Sequence, residues 1–456
     1  MEPSGTSTDT GLAALYTRLR SSTAARDGLW VLAGQGLAAV IALGVDVLLF
    51  RNLPQSERGM LTAVLGLRNV LLYIADMGLA LTTVRVGAEY FGKGLRAEAN
   101  AIFRRAFLAR MALALLVSLL AYAMARMLAR FPLAAPDRPE LVVAAAAALV
   151  GMTATSWGVD VAQATRSFGR YFLHQVVEAT LKAAAVALVL FAAAKLLPGR
   201  ARFEVSAEMF LWGMASAAIL AGLFSILLQH TALAEAKRLS GTAETEIHAQ
   251  LRSFNRYAVA IALLQTVGGY VEVFLVQWQR GPVDTAIFDG ARRLALVLPL
   301  LGGVLTTVLL PRVAVLETPA ACAAYVRKTW AVGVPLALLA AGGLAAVAGI
   351  AVPLLWGRRY DDSIMPLRWL CAGHGFSIVL APLMLVFYPL RRERTLLMLQ
   401  AGSVALSIGL GAWLIPRFGA LGAAWSTVAV RTLLTLVCGA TLWLMLRRSS
   451  TSGARQ

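Results

Sequence analysis

The sequence predicts an all-α polytopic membrane protein: twelve transmembrane helices in two six-helix lobes, related by a parallel pseudo-repeat around a central cavity. Three observations predict it. Of 456 residues, 59% are apolar and only 14% are charged, whereas soluble domains carry roughly 25% charge. Apolar runs recur from Gly28 to Leu446, each about 20 residues and long enough for a ~30 Å hydrocarbon core. The runs are continuous rather than alternating, which excludes a transmembrane β-barrel.

In chain order, residues 1–27 read as a polar cytoplasmic tail, with an amphipathic stretch, Thr10–Arg20, suited to the inner membrane surface. The run 28–50 is too long for a signal-peptide core and lacks a small-x-small cleavage site, so it reads as a retained first helix. Spans follow at 60–84, 106–129, 140–163, 172–194 and 207–229, completing a lobe over 28–230. The longest hydrophilic connection, 231–253, is a cytoplasmic linker. A second lobe over 254–446 holds spans at 255–278, 286–310, 330–356, 363–389, 395–415 and 419–446, and 447–456 is a cytoplasmic tail.

The net charge of +18 would suggest nucleic acid in a soluble protein. Here it sits in short loops and reads as topology signalling, with no nucleic acid partner. Of the 42 Lys and Arg, 24 fall on segments that are inside if the N-terminus is cytoplasmic and 13 on the alternate ones. That bias puts both termini in the cytoplasm. Charges within about a turn and a half of a span end are counted with the adjoining loop, and the remaining five lie deeper within spans: Arg68, Lys182, Arg292, Arg293 and Arg431.

The two halves repeat weakly. A shift of 227 residues sets Arg85 on Arg312 and brings Arg68 within three residues of Arg292. Both buried arginines then lie about 10 Å inside the outer ends of corresponding helices. Parallel repeats of this kind flank a midplane site in transporters. Prolines 299, 335, 353, 366 and 382 all fall in spans of the second half, where they kink helices; the kinks are either static or a means for that half to bend.

An arginine at membrane depth costs at least a few kcal/mol and faces a bundle interior or a wet cavity. Arg68, Arg292 and Arg293 are the candidates for binding an anion, because arginine stays protonated and grips phosphate bidentately. The competing reading is structural pairing with Asp289 and Asp76, the former three and four residues before Arg292 and Arg293. Glu178 and Lys182 stand at a favourable i,i+4 spacing. Asp46, Asp76, Asp160, Glu272 and Arg431 are further intramembrane charges with coupling or gating as their functional reading. Trp30, Trp278, Trp330, Trp356 and Trp443 lie near span ends as an aromatic belt. Three scattered cysteines and four scattered histidines imply no disulfide framework, metal site or cofactor. The sequence carries no catalytic constellation, and Asp361-Asp362 reads as a solvated turn.

Several segments resemble polysaccharide flippases. They are Phe50–Gly59 (FRNLPQSERG), Asp76–Arg85 (DMGLALTTVR), Ala291–Leu294 with Leu310–Arg312, Leu355–Tyr360 (LWGRRY) and Leu414–Ala424 (LIPRFGALGAA). The resemblance implies the O-antigen-type oligosaccharide flippase branch of the multidrug/oligosaccharidyl-lipid/polysaccharide exporter superfamily. Members are bacterial inner-membrane proteins that move polyprenyl-pyrophosphate-linked sugars outward by alternating access, working beside polymerases and glycosyltransferases. Related lipid II flippases use cavity arginines on helices two and eight. Arg293 matches the helix-eight position, whereas Arg68 departs from the helix-two pattern by about a turn. The resemblance without two further C-terminal helices favours the O-antigen or exopolysaccharide branch.

The expected function is therefore a non-enzymatic flippase. Arg293, Arg292 and Arg68 hold the pyrophosphate, and Asp76, Glu178, Lys182, Glu272 and Arg431 are coupling or gating candidates. Energy comes from H+, Na+ or the membrane potential. The alternatives are a multidrug cation antiporter of the same superfamily, which wants an acidic cavity, and a glycan polymerase or ligase, which wants a long outer loop.

Overall fold

A computed structural model describes residues 23–196, 206–234, 256–300, 319–387, 390 and 392–453. Thr10–Arg20, most of the 231–253 linker and the Leu310–Arg312 end of span eight lie outside them. Fifteen α-helices and one 3-10 helix, Arg358–Ser363, are described. The first lobe comprises α1 (Thr23–Asn52), α2 (Gln55–Asp76), α3 (Leu79–Gly92), α4 (Arg96–Ala123), α5 (Ala125–Arg130), α6 (Glu140–Ala164), α7 (Phe168–Leu196), α8 (Ala207–Leu228) and the short α9 (His230–Ala234). The second comprises α10 (Arg256–Gly268), α11 (Val271–Arg280), α12 (Pro282–Ala295), α13 (Pro319–Leu355), α14 (Ile364–Leu385) and α15 (Glu393–Gly453). Among the described residues, ten helical stretches are long and apolar enough to cross a membrane.

The last of these is two spans. Gly419 has φ +56, and the chain doubles back there, so that Phe418 and Trp425 stack at 4.8 Å and Gly422 abuts the Leu414 carbonyl. The left-handed backbone at Gly419 favours glycine.

Span two differs from its expected limits of 60–84. Pro54 starts α2 early, as proline does just before or within a first turn, and Met77 and Gly78, both left-handed, end it at Asp76. Arg58, taken from sequence for an outer-loop residue, is thereby fully buried within α2. Arg110, near the end of the expected span 106–129 and counted with the inside segment, is likewise buried in α4.

Within the first lobe α1 lies on α7, and α6 packs against α4 and α8; within the second, α14 packs on α13 and α15 covers α10 and α11. The lobes meet where α2 runs against α12, α11 and α10. The approach is closest at Gly59, where an added β-carbon would lie 1.7 Å from the Pro282 carbonyl oxygen. Exposed leucines, valines and phenylalanines cover the outer faces, as a lipid-facing surface requires.

One end of the lobe interface is sealed. Arg51 donates to the Leu354 and Leu355 carbonyls (2.5 and 3.2 Å), Arg359 donates to the Phe50 carbonyl, and Gln55 donates to the Arg359 carbonyl at 2.6 Å. Gln277 donates to Leu133 O at 2.9 Å. Trp356 departs from the predicted aromatic belt: it is fully buried, stacks 4.2 Å from Phe50 and donates to Gly290 O. Trp30, Trp278 and Trp443 are exposed as a belt requires. Further from this end, two described apolar clusters, around Phe103 and Trp157 and around Phe387 and Leu396, each stay within one lobe.

Candidate functional site

Two cavities flank α12. The first, about 360 Å³, lies between the lobes. Its first-lobe wall carries Asp46, Thr62, Arg68, Asn69, Glu178 and Lys182, and its second-lobe wall carries Tyr270, Asp289, Arg292 and Arg293. So α2 and α12 bring Arg68, Arg292 and Arg293 to one space, and the predicted Glu178–Lys182 pair lines it too.

The three arginines are not equivalent. Arg293 bonds Asp46 Oδ2 across the lobes at 2.9 Å and Asp289 Oδ2 at 3.3 Å. Arg292 stands 3.5 Å from Asp289 Oδ1, donates to Gly269 O at 3.1 Å and lies over the Tyr270 ring. Tyr270 is fixed in turn by Asn69 of the opposite lobe, which donates to its hydroxyl at 2.6 Å. Arg68 is buried, makes no hydrogen bond or ion pair among the described residues, and leaves its Nε without a partner. Such a group costs free energy unless a ligand or water satisfies it.

Beneath this wall sits the residue that the sequence reading missed. Arg58, from the first lobe, reaches Asp289 at 2.9 Å, Asp46 at 3.4 Å and Thr62 at 2.5 Å, and lies 4.1 Å from the Phe50 ring centre. Thr62 adds a 2.8 Å bond to Asp289. Asp289 thus ties its own Arg292 and Arg293 to Arg58 and Thr62 of the other lobe. The signal available in sequence was Pro54: a helix starting there puts Arg58 inside a span.

The charge balance decides what the cavity accepts. Arg58, Arg68, Lys182, Arg292 and Arg293 are five cations; Asp46, Glu178 and Asp289 are three carboxylates. Glu178 is taken by Lys182, three arginines share two aspartates, and Arg68 has none. In a low-dielectric setting an excess of two positive charges strongly favours an anion.

Asp76 is not part of this arrangement, so the competing reading that paired it with the cavity arginines does not hold for it. It ends α2 and pairs with Arg110 at 2.7 Å; Arg110 also binds Asp160 at 2.5 Å and Ser156 at 2.8 Å. This cluster staples α2 and α6 to α4.

The second cavity, about 310 Å³, lies inside the second lobe and receives Glu272 and Arg431. Ser407 donates to Glu272. Arg292 and Leu296 line both cavities. The predicted residues therefore divide into a central group, a second-lobe group and the separate Asp76.

Two helical lobes packed around a charged cavity, with ten stretches long and apolar enough to cross a membrane among the described residues, define a multi-pass membrane protein with an internal site. Residues 24–317 match the family model described as "Polysaccharide biosynthesis protein", well over half of the chain, and the chain belongs to that family. No curated protein matches it in sequence. Its fold is similar to that of a multidrug resistance MATE family transporter of the MOP superfamily in an inward-facing conformation (12% identity, 91% of this chain and 99% of that one, TM-score 0.66). It is also similar to the lipid II flippase MurJ in an inward closed conformation (12% identity, 91% and 87%, TM-score 0.68). A third similar structure is a MOP superfamily transporter from Pyrococcus furiosus (13% identity, 91% and 94%, TM-score 0.57).

Proposed function

We propose that the protein flips a polyprenyl-pyrophosphate-linked oligosaccharide from the inner to the outer leaflet of the bacterial inner membrane, for surface or exopolysaccharide synthesis. The observation that carries this reading is Arg68, a buried and unpaired cation at an inter-lobe site whose charges, Arg68 included, sum to two positive. The family's polysaccharide description and the likeness to a lipid II flippase support the same substrate class. An organic cation, the cargo of the rival antiporter reading, would meet net repulsion.

The residues divide the work. The polyprenyl tail stays in the bilayer and the glycan occupies the wet cavity. The pyrophosphate takes Arg68 first, because no internal bond must break. It then competes with Asp46 and Asp289 for Arg292 and Arg293. Each arginine it withdraws loosens a contact joining the lobes, so binding favours the rearrangement that opens the sealed end. The loop charge bias assigns that end to the outer face, which makes the described state inward-facing. Energy is drawn from an ion gradient or the membrane potential. A ligand shifts such an equilibrium only by its differential affinity for the two states, and the clasp supplies that difference.

The test is translocation of a fluorescent polyprenyl-pyrophosphate oligosaccharide in proteoliposomes by the wild type, Arg68→Gln and Arg293→Gln. Movement by the wild type and loss in Arg68→Gln are expected. Exchange of organic cations for protons, with no lipid movement, would install the antiporter reading instead.

A further inference from the structure

The second-lobe cavity has no task in holding a pyrophosphate, yet it is built of polar groups. The guanidinium of Arg431, on the second limb of α15, makes no hydrogen bond or ion pair among the described residues and lines this cavity. His374 of α14 is 7% exposed, and its Nδ1 is buried without a partner. Gln265, Gln400 and Thr427 add amide and hydroxyl groups to the wall. Glu272, the one carboxylate there, is engaged by Ser407. The buried, unpartnered imidazole nitrogen of His374 costs stability unless something binds there, and the half-buried Arg431 guanidinium lines the same space from a different helix. The volume of about 310 Å³ is at the lower end of ligand pockets, roughly 300–1,000 Å³.

Position narrows the occupant. Arg292 and Leu296 form a wall common to this cavity and the central one. A ligand whose phosphates sit against Arg68 and Arg292 therefore has its next group at the mouth of the second cavity. In a lipid-linked oligosaccharide that group is a sugar. Amides and hydroxyls suit sugar hydroxyls, and a free guanidinium beside an imidazole suits a carboxylate.

We propose that the second-lobe cavity is a sugar subsite selecting an anionic, carboxylate-bearing residue of the carried glycan, with Arg431 and His374 as its recognition groups. This rests on the flippase reading above and extends it to substrate class. The same groups would also hold a free inorganic anion, and the experiment separates the two sources.

Proteoliposomes are loaded with a glucuronosyl- or a glucosyl-terminated polyprenyl pyrophosphate, and initial flipping rates are compared. The wild type is expected to favour the acidic carrier by about tenfold, the scale of one charge-assisted hydrogen bond. Arg431→Gln brings the ratio to about one, and Arg431→Lys, which keeps the charge, retains much of it. Arg68→Gln slows both carriers and leaves the ratio in place. Saturation-transfer NMR with free glucuronate and free glucose reads the subsite without transport: contact with glucuronate, lost in Arg431→Gln, is expected. Transport of both carriers at equal rates, without glucuronate contact, overturns the subsite and leaves the flippase reading standing. Contact without transport of either carrier does the reverse. A rate that follows chloride or phosphate concentration through Arg431, with no sugar preference, assigns the cavity to an inorganic anion and also overturns the proposal.

Discussion

Asp289→Asn isolates the contact between the lobes. The native carboxylate takes a 2.9 Å bond from Arg58 and a 2.8 Å bond from Thr62, receives Arg293 at 3.3 Å and faces Arg292 at 3.5 Å. Asparagine preserves shape and an acceptor oxygen but removes the charge. Three arginines are then left with Asp46 alone. Breaking a buried ion pair from one side costs about 3–5 kcal/mol, because the remaining charge stays uncompensated. The Arg58–Asp289 bond exists only while the lobes are together, so the cost falls on the sealed state. Even about 3 kcal/mol moves a two-state equilibrium by roughly 150-fold. Spin labels at Asn52 and Arg358, exposed positions on opposite lobes at the sealed end, read the effect as a distance distribution. The three native cysteines are buried and compete little for label. A single short distance is expected in the wild type and a second, longer one in Asp289→Asn. An unchanged distribution with an unchanged melting temperature would refute the clasp.

Other substitutions separate binding from scaffolding. Arg68→Gln should leave thermal stability unchanged or slightly raised, since it removes an unpaired charge, while flipping falls by about tenfold or more, the worth of a hydrogen bond to a charged group; a large drop in melting temperature would show that Arg68 is structural. Arg58→Gln should show the opposite pattern, losing about 3–5 kcal/mol of stability in a melt followed by tryptophan fluorescence. Gly59→Leu should abolish the short spin-label distance, because its side chain meets the Pro282 carbonyl; retention of that distance would mean that the helices can slide past each other. Arg110→Gln strands Asp76 and Asp160 together and should destabilise the first lobe by about 3–5 kcal/mol, read as reduced protection of amides around Met77 in hydrogen exchange.

Hydropathy alone makes the helical spans legible, since a membrane forces every backbone group into a helix of known length. Depth inside the bilayer flagged Arg68, Arg292, Arg293, Glu272 and Arg431 for the same reason. Partnership was harder to read. Asp289 is near Arg292 and Arg293 in sequence and does pair with them, but Arg58 meets Asp289, and Asp46 meets Arg293, from more than 200 residues away. Only tertiary packing could reveal that. Asp76 does not meet the cavity arginines because the left-handed pair Met77–Gly78 cuts span two short and turns its end toward Arg110. Arg58 was misplaced by starting the same span five residues late, a small boundary error that moves a charge from water into the core.

The seal at the lobe ends has one further consequence. Arg51 and Arg359 each cap the last carbonyls of a helix in the opposite lobe, at Leu354–Leu355 and at Phe50. The acceptors are main-chain atoms at helix C-termini, which water can serve as readily as an arginine once the lobes part. Separation therefore strands no polar group. It also means that the latch has a lopsided genetic footprint. Saturation mutagenesis should find the two donors intolerant and the acceptor positions indifferent to identity, apart from proline and whatever their side chains do in packing. Half of this contact would be invisible to any method that infers pairs from compensating substitutions.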